Sequence, residues 1–387
     1  MQYEAKFRNS ECDKTESVHS ASFLAGLIAV LLCVGVQMVH SSSLTSRPSE
    51  QDTIFLSRHV TWLSLSLIAA WVLSRLSAEQ VAAWCRPAFW GYVFLLVIVL
   101  VPGIGVRING AQRWLRFSGL SFQPSELGRL ILPMIGASKI MSLRSEGRLN
   151  LSTVPETLGP LCLVLPLVAI EPDLGATVFL TLGFLLSLYF AGWPLRYFFI
   201  CGLGMVPASV FLLVLRPYQM RRVTGFLESW QDLAAAPWQI RQSLMSLGSG
   251  GLEGTGIGAG WQKLSYLPEA NTDFVFAVIG EELGLLGTLT VCFVWISVYL
   301  SGRTVLQPLP RQSFGWILGT TLLTQLVIQA MANIAVVTAL VPPKGVPHPF
   351  ISYGGTNLLV SLSVVGLLLG MAANPDRNSI LVSQTDS

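Results

Sequence analysis

Charge is scarce in this sequence. Only 12% of its 387 residues are Asp, Glu, Lys or Arg, where an ordinary soluble domain carries roughly a quarter. With 52% hydrophobic residues and a positive mean hydropathy, that shortage excludes a water-soluble globular protein. The formal net charge is only +3, and there is no basic, aromatic-rich patch, so a nucleic-acid partner is not expected. No internal repeat of the kind that marks many transporters is visible. Cysteine is missing from every segment that reads as external: Cys12, Cys33, Cys85, Cys162, Cys201 and Cys292 fall in apolar runs or on the cytoplasmic side. Neither a disulfide framework nor a thiolate metal site is therefore indicated.

What the chain has instead is a succession of apolar runs, at about 20–40, 55–75, 88–104, 124–142, 155–171, 174–191, 196–215, 274–300, 313–340 and 354–373. A helix needs roughly 20 apolar residues to cross a bilayer. The expected architecture is an all-α polytopic membrane protein of ten transmembrane helices, residues 20–373, between short tails at 1–19 and 374–387. A large extracytoplasmic loop, about 216–273, separates helices 7 and 8. One side of the short loops holds Lys6, Arg8, Lys14, Arg75, Arg86, Lys139, Arg144, Arg148, Arg196, Arg303, Arg311 and Arg377, and the other only Arg47, Arg107, Arg113, Arg116 and Lys344. The excess of basic residues marks the cytoplasmic side, which places both termini there. The polar first twenty residues and the long apolar run after them do not suggest a cleaved signal peptide.

The cytoplasmic connections look like plain turns, whereas the outer face is elaborated. Three outer stretches share one design: Phe122-Gln123-Pro124-Ser125-Glu126, Glu171-Pro172-Asp173-Leu174-Gly175 and Ala270-Asn271-Thr272-Asp273-Phe274. Each puts a carboxylate in the expected first turn of a helix, where the helix N-terminus favours negative charge. One such residue is readily a plain cap; three on one face suggest a site. The long outer loop carries aromatic anchors, a stretch from Ile240 to Leu247 suited to a short interfacial helix, and a glycine run from Gly248 to Gly260. That run lacks the Lys-Ser/Thr and the preceding strand of a nucleotide loop. It reads as backbone made to lie close to a ligand or a neighbouring helix. Basic residues share this face: Arg107, Arg113, Arg116, Arg221, Arg222, Arg241, Lys263 and Lys344. Lys344 sits in the stiff segment Val341-Pro-Pro-Lys-Gly345, where a cation at headgroup level suits an anionic lipid or a diphosphate. Inside the ninth span Gln325, Gln329 and Asn333 recur every four residues, so they share a helix face that should meet other helices or a wet cavity. Gly366 and Gly370 in the last span have the spacing of a close helix contact.

Gly110-Ala-Gln-Arg-Trp114, Phe122 to Glu126, Pro172-Asp-Leu-Gly175, Leu267 to Phe274 with Glu281-Glu-Leu-Gly284, and Pro349-Phe-Ile-Ser-Tyr-Gly-Gly355 resemble, in that order, the signatures of the SEDS family (shape, elongation, division, sporulation). The similarity runs from about residue 20 to 375, and Tyr218 to Phe226 and Gln262 to Ala270 look most like its division member. The resemblance implies a peptidoglycan glycosyltransferase that polymerises lipid II, an undecaprenyl-diphosphate-linked disaccharide peptide, at the outer face of the cytoplasmic membrane. Membrane lipid, a class B penicillin-binding protein (FtsI-like) and other division proteins are the partners it implies. By position, Asp273 matches the essential loop aspartate of the family and Lys344 a lysine of its last outer loop, while Glu126, Asp173 and Trp114 match other outer-cavity positions. Arg113, Arg222, Glu269 and Lys263 complete the candidate substrate-binding set. Glu171, Ser121 and Asn271 depart from the residues usual there, which weakens any role for them.

The implied reaction joins sugar C1, bearing a lipid diphosphate in α linkage, to an incoming 4-hydroxyl with inversion to β. It needs a base at the hydroxyl and positive charge at the diphosphate. Asp273 is the best base, expected in the first turn of the eighth span with the helix end keeping it ionised. Alternatively it holds a divalent cation, Mg²⁺ or Mn²⁺, against the diphosphate; no organic cofactor is implied. Glu281 and Glu282 are expected to be structural, paired within the bundle. A lipid II flippase would use a similar outer cavity but needs a polar route through the inner halves of the spans, which look apolar. A non-enzymatic scaffold leaves the outer carboxylates unexplained. The elongation paralogue would share the chemistry.

Overall fold

The computed structural model describes residues 2–43, 50–108, 110–117, 119–171, 173–214, 217–230, 232, 236–261, 267 and 269–374. Three helices come first, α1 (Gln2–Ser43), α2 (Glu50–Leu73) and α3 (Ala78–Leu100), followed by three short antiparallel strands, β1 (Val106–Ile108), β2 (Ala111–Phe117) and β3 (Leu120–Phe122), in the order β1-β2-β3. Then follow α4 (Pro124–Ser145), α5 (Val154–Ile170), α6 (Leu174–Phe190), α7 (Leu195–Val214), the shorter helices α8 (Pro217–Ser229) and α9 (Trp238–Ser249), and finally α10 (Val275–Leu306), α11 (Phe314–Val337) and α12 (Gly355–Ala373).

The protein is an all-α, multi-pass membrane protein. Among the described residues seven helices are long and apolar enough to cross a bilayer: α1, α2, α3, α5, α10, α11 and α12. The other three expected spans coincide with α6, whose apolar part is Gly175–Phe190, α7, apolar over Leu195–Gly204, and α4. α4 falls short because it carries Glu126, Arg129, Lys139 and Arg144. It sits in the middle of the bundle, against α3, α5, α6, α11 and α12, so its upper polar residues face protein and cavity and not lipid. The strands have no counterpart in the sequence reading. Gly110 and Gly119, at φ +80° and +83°, supply the turns that only glycine adopts readily, and the Gln112 side chain ties β2 to the carbonyls of Val99 and Val101 at 3.1 Å each.

The small-residue spacing in α12 serves close packing: a Cβ on Gly366 would lie 2.3 Å from the Ala70 carbonyl oxygen of α2, and one on Gly370 2.7 Å from that of Leu73. α1 runs along α10, with Ser301 donating to the Ser20 carbonyl at one end (3.0 Å) and Ser41 donating to the Glu282 carboxylate at the other (2.7 Å).

Glu281 and Glu282 are buried, and their partners differ in part from the expected pairing within the bundle. Beyond Ser41, the Glu282 carboxylate accepts the Gly258 amide (3.0 Å), and Glu281 accepts the Trp261 amide (2.6 Å) and the Ser246 hydroxyl of α9 (3.1 Å). α10 breaks its helical geometry at Gly284, φ 66° and ψ −163°. At the break the glycine run docks by backbone, with Thr255 and Gly256 donating to the carbonyls of Glu281 and Glu282 and Leu285 donating to Gly251. A Cβ on Gly254 would stand 2.2 Å from the Glu282 carbonyl oxygen. The glycines therefore serve close backbone approach to a neighbouring helix, and the two glutamates satisfy amides that the approach would otherwise bury without partners.

Candidate active site

At one end of the bundle, three helix starts and one loop surround a cavity of about 1030 Å³. The first start is that of α4. Pro124 occupies its first position, where a missing N–H costs nothing, and Glu126 follows in the first turn. One turn on, Arg129 forms an ion pair with Glu126, Nη2 to Oε2 at 2.5 Å. Arg129 also donates to Asn357 of α12 (3.0 Å) and to the Gln329 side chain of α11. Gln329 in turn donates to Asn357 (3.0 Å) and to the Pro347 carbonyl (2.9 Å). A buried cation thus gains partners from three helices, the condition under which an ion pair in low dielectric is tolerated.

The second start is that of α6. Asp173 is its N-cap, with Oδ1 accepting the Ala176 amide at 2.9 Å. Its other oxygen takes an ion pair from Arg113 of β2 at 2.7 Å and a hydrogen bond from Gln123 at 3.0 Å. The strands matter here, because they hang Arg113 and Trp114 over the mouth of the bundle.

The third start differs from the sequence expectation. α10 begins at Val275 with Phe274 as its N-cap, so Asp273 precedes the helix and does not sit in its first turn. Its position is set by backbone: Asn333 of α11 donates through Nδ2 to the Asp273 carbonyl and to the Val346 carbonyl, each at 2.7 Å. Ser352 donates to the Thr272 carbonyl (2.5 Å), and the Tyr353 amide to that of Asn271 (2.8 Å). Glu269 closes the turn from the left-handed region, φ 56°, accepting the amides of Thr272 and Phe274 on its carbonyl. Ala339 and Phe350, on either side of Lys344, also have positive φ, 57° and 66°. Non-glycine residues hold such conformations only where the surroundings impose them.

Charge follows this geometry. Burial pushes the Asp273 carboxyl up to about 7, reinforced by the nearby Glu269 and opposed by Arg113 and Arg222. The expectation that the helix end keeps it ionised rested on a place in the first turn; the carboxylate lies outside the helix, so desolvation outweighs the dipole. Asp273 makes no side-chain hydrogen bond or ion pair among the described residues. Lys344 is exposed to the cavity, and partial burial of its ammonium lowers its pKa. Arg222 of α8 reaches the Pro343 carbonyl of the same loop at 3.5 Å.

Of the candidate residues, Arg113, Trp114, Glu126, Asp173, Arg222, Glu269, Asp273 and Lys344 all line the cavity. Glu269 lies at the rim, exposed, its carboxylate accepting the Thr272 hydroxyl at 2.8 Å. Lys263 lies outside the described residues. The sequence reading passed over Gln123, Arg129 and Asn357, which also line the cavity. Arg129 had a signal, a cation three residues from Glu126 in an otherwise apolar run, which inside a membrane marks function or a partner. The polar stripe of α11 serves the site directly through Gln329 and Asn333, while Gln325 reaches the Phe179 carbonyl at 3.4 Å. Among the described residues no three His, Cys, Asp or Glu side chains gather as a metal cluster.

A family model described as cell cycle protein, covering FtsW, RodA and SpoVE, matches residues 22–376. A relative from Geobacter sp. (strain M18), named "Probable peptidoglycan glycosyltransferase FtsW", is 36% identical over 89% of this chain and 95% of its own. One from Legionella pneumophila with the same name is 36% identical over 90% and 89%. Among solved structures, a chain from a study of the structural coordination of polymerization and crosslinking by a peptidoglycan synthase complex superposes with TM-score 0.72 at 25% identity, covering 90% of this chain and 96% of that one. The Thermus thermophilus rod shape determining protein RodA does so with TM-score 0.64 at 25% identity, covering 90% and 95%.

Proposed function

From the premise that this chain belongs to the FtsW, RodA and SpoVE family, we propose that it is a peptidoglycan glycosyltransferase of the division type. It polymerises lipid II at the outer face of the cytoplasmic membrane with Asp273 as general base. The observation that carries the reading is the Asp273 carboxylate itself, set by backbone bonds at the wall of a large charged cavity, with its proton affinity raised to about 7 by burial. A base works best with a pKa near the working pH, and a plain helix cap has no need of that value.

In the reaction the 4-hydroxyl oxygen of an incoming lipid II attacks C1 of the growing chain. Asp273 takes the hydroxyl proton, and the C1–oxygen bond to the lipid diphosphate breaks with its electron pair leaving on the diphosphate. Lys344 and Arg222 meet that charge, and Arg113 and Trp114 of β2 border the sugar path. Asp173 is paired with Arg113 and Glu126 with Arg129, so that of the three helix-start carboxylates Asp273 is the one without a paired cation. Asp273 would also suit Mg²⁺ or Mn²⁺, since Mg²⁺ binds through one or two carboxylates together with substrate phosphates, and such an ion would supply further charge at the leaving group. Both chain ends are cytoplasmic and the protein works at the division site with a class B penicillin-binding protein.

Purified protein with that partner, its transpeptidase blocked, should lengthen labelled lipid II into uncross-linked glycan. Absence of polymer in every lipid and metal condition, together with measurable transfer of lipid II between leaflets, would instead establish a flippase. Lys344→Ala should raise the lipid II concentration needed for half-maximal rate several-fold, on the order of the 1.5–3 kcal/mol of a charge-assisted hydrogen bond discounted for exposure, while Lys344→Arg retains most of the apparent affinity. Unchanged substrate dependence in both variants would make Lys344 an interfacial anchor only.

A further inference from the structure

Glu171 closes α5 two residues before Asp173, and its side chain is completely buried. Neither carboxylate oxygen has a well-formed hydrogen bond among the described residues. Buried polar groups are nearly always partnered, and an ionised carboxylate without partners is among the most costly things a protein can bury. The groups around it are those of the cavity wall. From α3 comes Tyr92, whose hydroxyl lies 3.5 Å from the Ser125 carbonyl. The Ser125 hydroxyl faces it from α4 as a donor, Arg113 from β2, and Asp173 from the start of α6. Ser125 accepts Gln123 Nε2 at 3.0 Å, the same nitrogen donates to Asp173 at 3.0 Å, and Asp173 holds Arg113 at 2.7 Å. Glu171 therefore sits within the field of the Asp173–Arg113 pair, and Arg113 is the cation that acts on both carboxyls.

We propose that Glu171 is a positioning residue that carries a proton in the working enzyme, leaving Arg113 to Asp173 and the substrate, and that its ionisation pulls Arg113 back and lowers polymerisation at alkaline pH. The activity arm of this proposal rests on the glycosyltransferase reading; the protonation of Glu171 does not. Burial, then the charge of Asp173, pushes the Glu171 carboxyl up to about 8, against the opposing pull of Arg113. With Asp273 required as an anion and Glu171 required as an acid, the pH–rate profile is a bell. Its rising limb belongs to Asp273 and its falling limb to Glu171. The protonated side chain has the shape and donor capacity of glutamine, so Glu171→Gln fixes the working form without changing volume.

The test compares, within each variant, the rate at about pH 9 with the rate at about pH 7, using the full chain and its partner. One unit above its pKa a carboxyl is about ten to one ionised; set against the roughly twofold gain as Asp273 completes its ionisation, the parent should lose roughly fivefold while Glu171→Gln gains up to about twofold. An equal alkaline loss in both would assign it to another group, Lys344 first because its pKa is also lowered, and would overturn the proposal. So would a parent with no alkaline loss. The second arm needs no turnover. Infrared spectra of the parent at neutral pH should contain a protonated-carboxyl stretch that titrates away near 8, persists in Asp273→Asn and is lost in Glu171→Gln. A parent without that band carries Glu171 ionised, and the proposal falls even if glycan synthesis is established; a band with no glycan synthesis would refute the functional reading and leave the buried acid standing.

Discussion

Asp273→Asn should leave a folded, inserted protein whose glycan synthesis falls by roughly a hundred- to ten-thousand-fold, the usual contribution of a general base. The backbone at this position is held by the Asn333 amide on the Asp273 carbonyl and by the bonds of Ser352 and Tyr353 to its neighbours, none of which involves the side chain. The substitution therefore removes the proton acceptor and leaves the loop in place. In the parent the rate should climb with pH through about 7, because the carboxyl must be ionised to act and its folded pKa lies there. Stability runs the other way. Between the ordinary aspartate value of 3.8 and about 7 the folded protein holds a proton that the unfolded chain has released, so stability falls as pH rises through that window. Asp273→Asn lacks this penalty and should melt higher than the parent above pH 7 and equally with it below 3.8. Asp273→Glu should recover part of the rate if reach is all that changes. A well-folded Asp273→Asn protein that still makes glycan at the parent rate would remove Asp273 from the chemistry.

Arg129→Met should cost more stability than any other single change in the cavity wall, about 3–5 kcal/mol, the usual consequence of removing one partner of a buried ion pair. Glu126 would lose its cation, and Gln329 and Asn357 would lose the guanidinium that joins α4 to α11 and α12. The double variant Arg129→Met with Glu126→Gln should recover much of the loss, since most of it arises from the orphaned carboxylate and not from the missing attraction. Detergent-resistant folding and melting temperature are the readouts. Equal melting temperatures for the parent and Arg129→Met would mean that the pair is solvated from the cavity and carries little of the bundle's stability. Should the double variant be no better than Arg129→Met, the cost would lie in the helix contacts made through Gln329 and Asn357.

Much of the molecule was legible along the chain. A bilayer accepts only backbone whose hydrogen bonds are satisfied internally, so a membrane protein has to write its spans as apolar runs, and the helices follow them. The outer carboxylates stood out for the same reason, being charges in a chain that avoids charge. Glu126, Asp173 and Asp273 do meet at one cavity, and the glycine run does serve close backbone approach, at Gly284 of α10. Short strands between Val106 and Phe122 were illegible, because stretches of three to seven residues carry too little periodicity to be told from a loop.

The sequence by itself determined the class and the family, since each of these is recorded in local composition or in motifs read within a few residues. Tertiary structure alone decided the chemical state of the site. Arg129 meets Asn357 across 228 positions and Asn333 fixes Asp273 across 60, and no local pattern announces contacts of that separation. Proton affinity depends on what surrounds a carboxyl in space. Asp273 and Glu171 look like ordinary acids in the chain, and desolvation by residues brought from other helices raises the first to about 7 and the second to about 8.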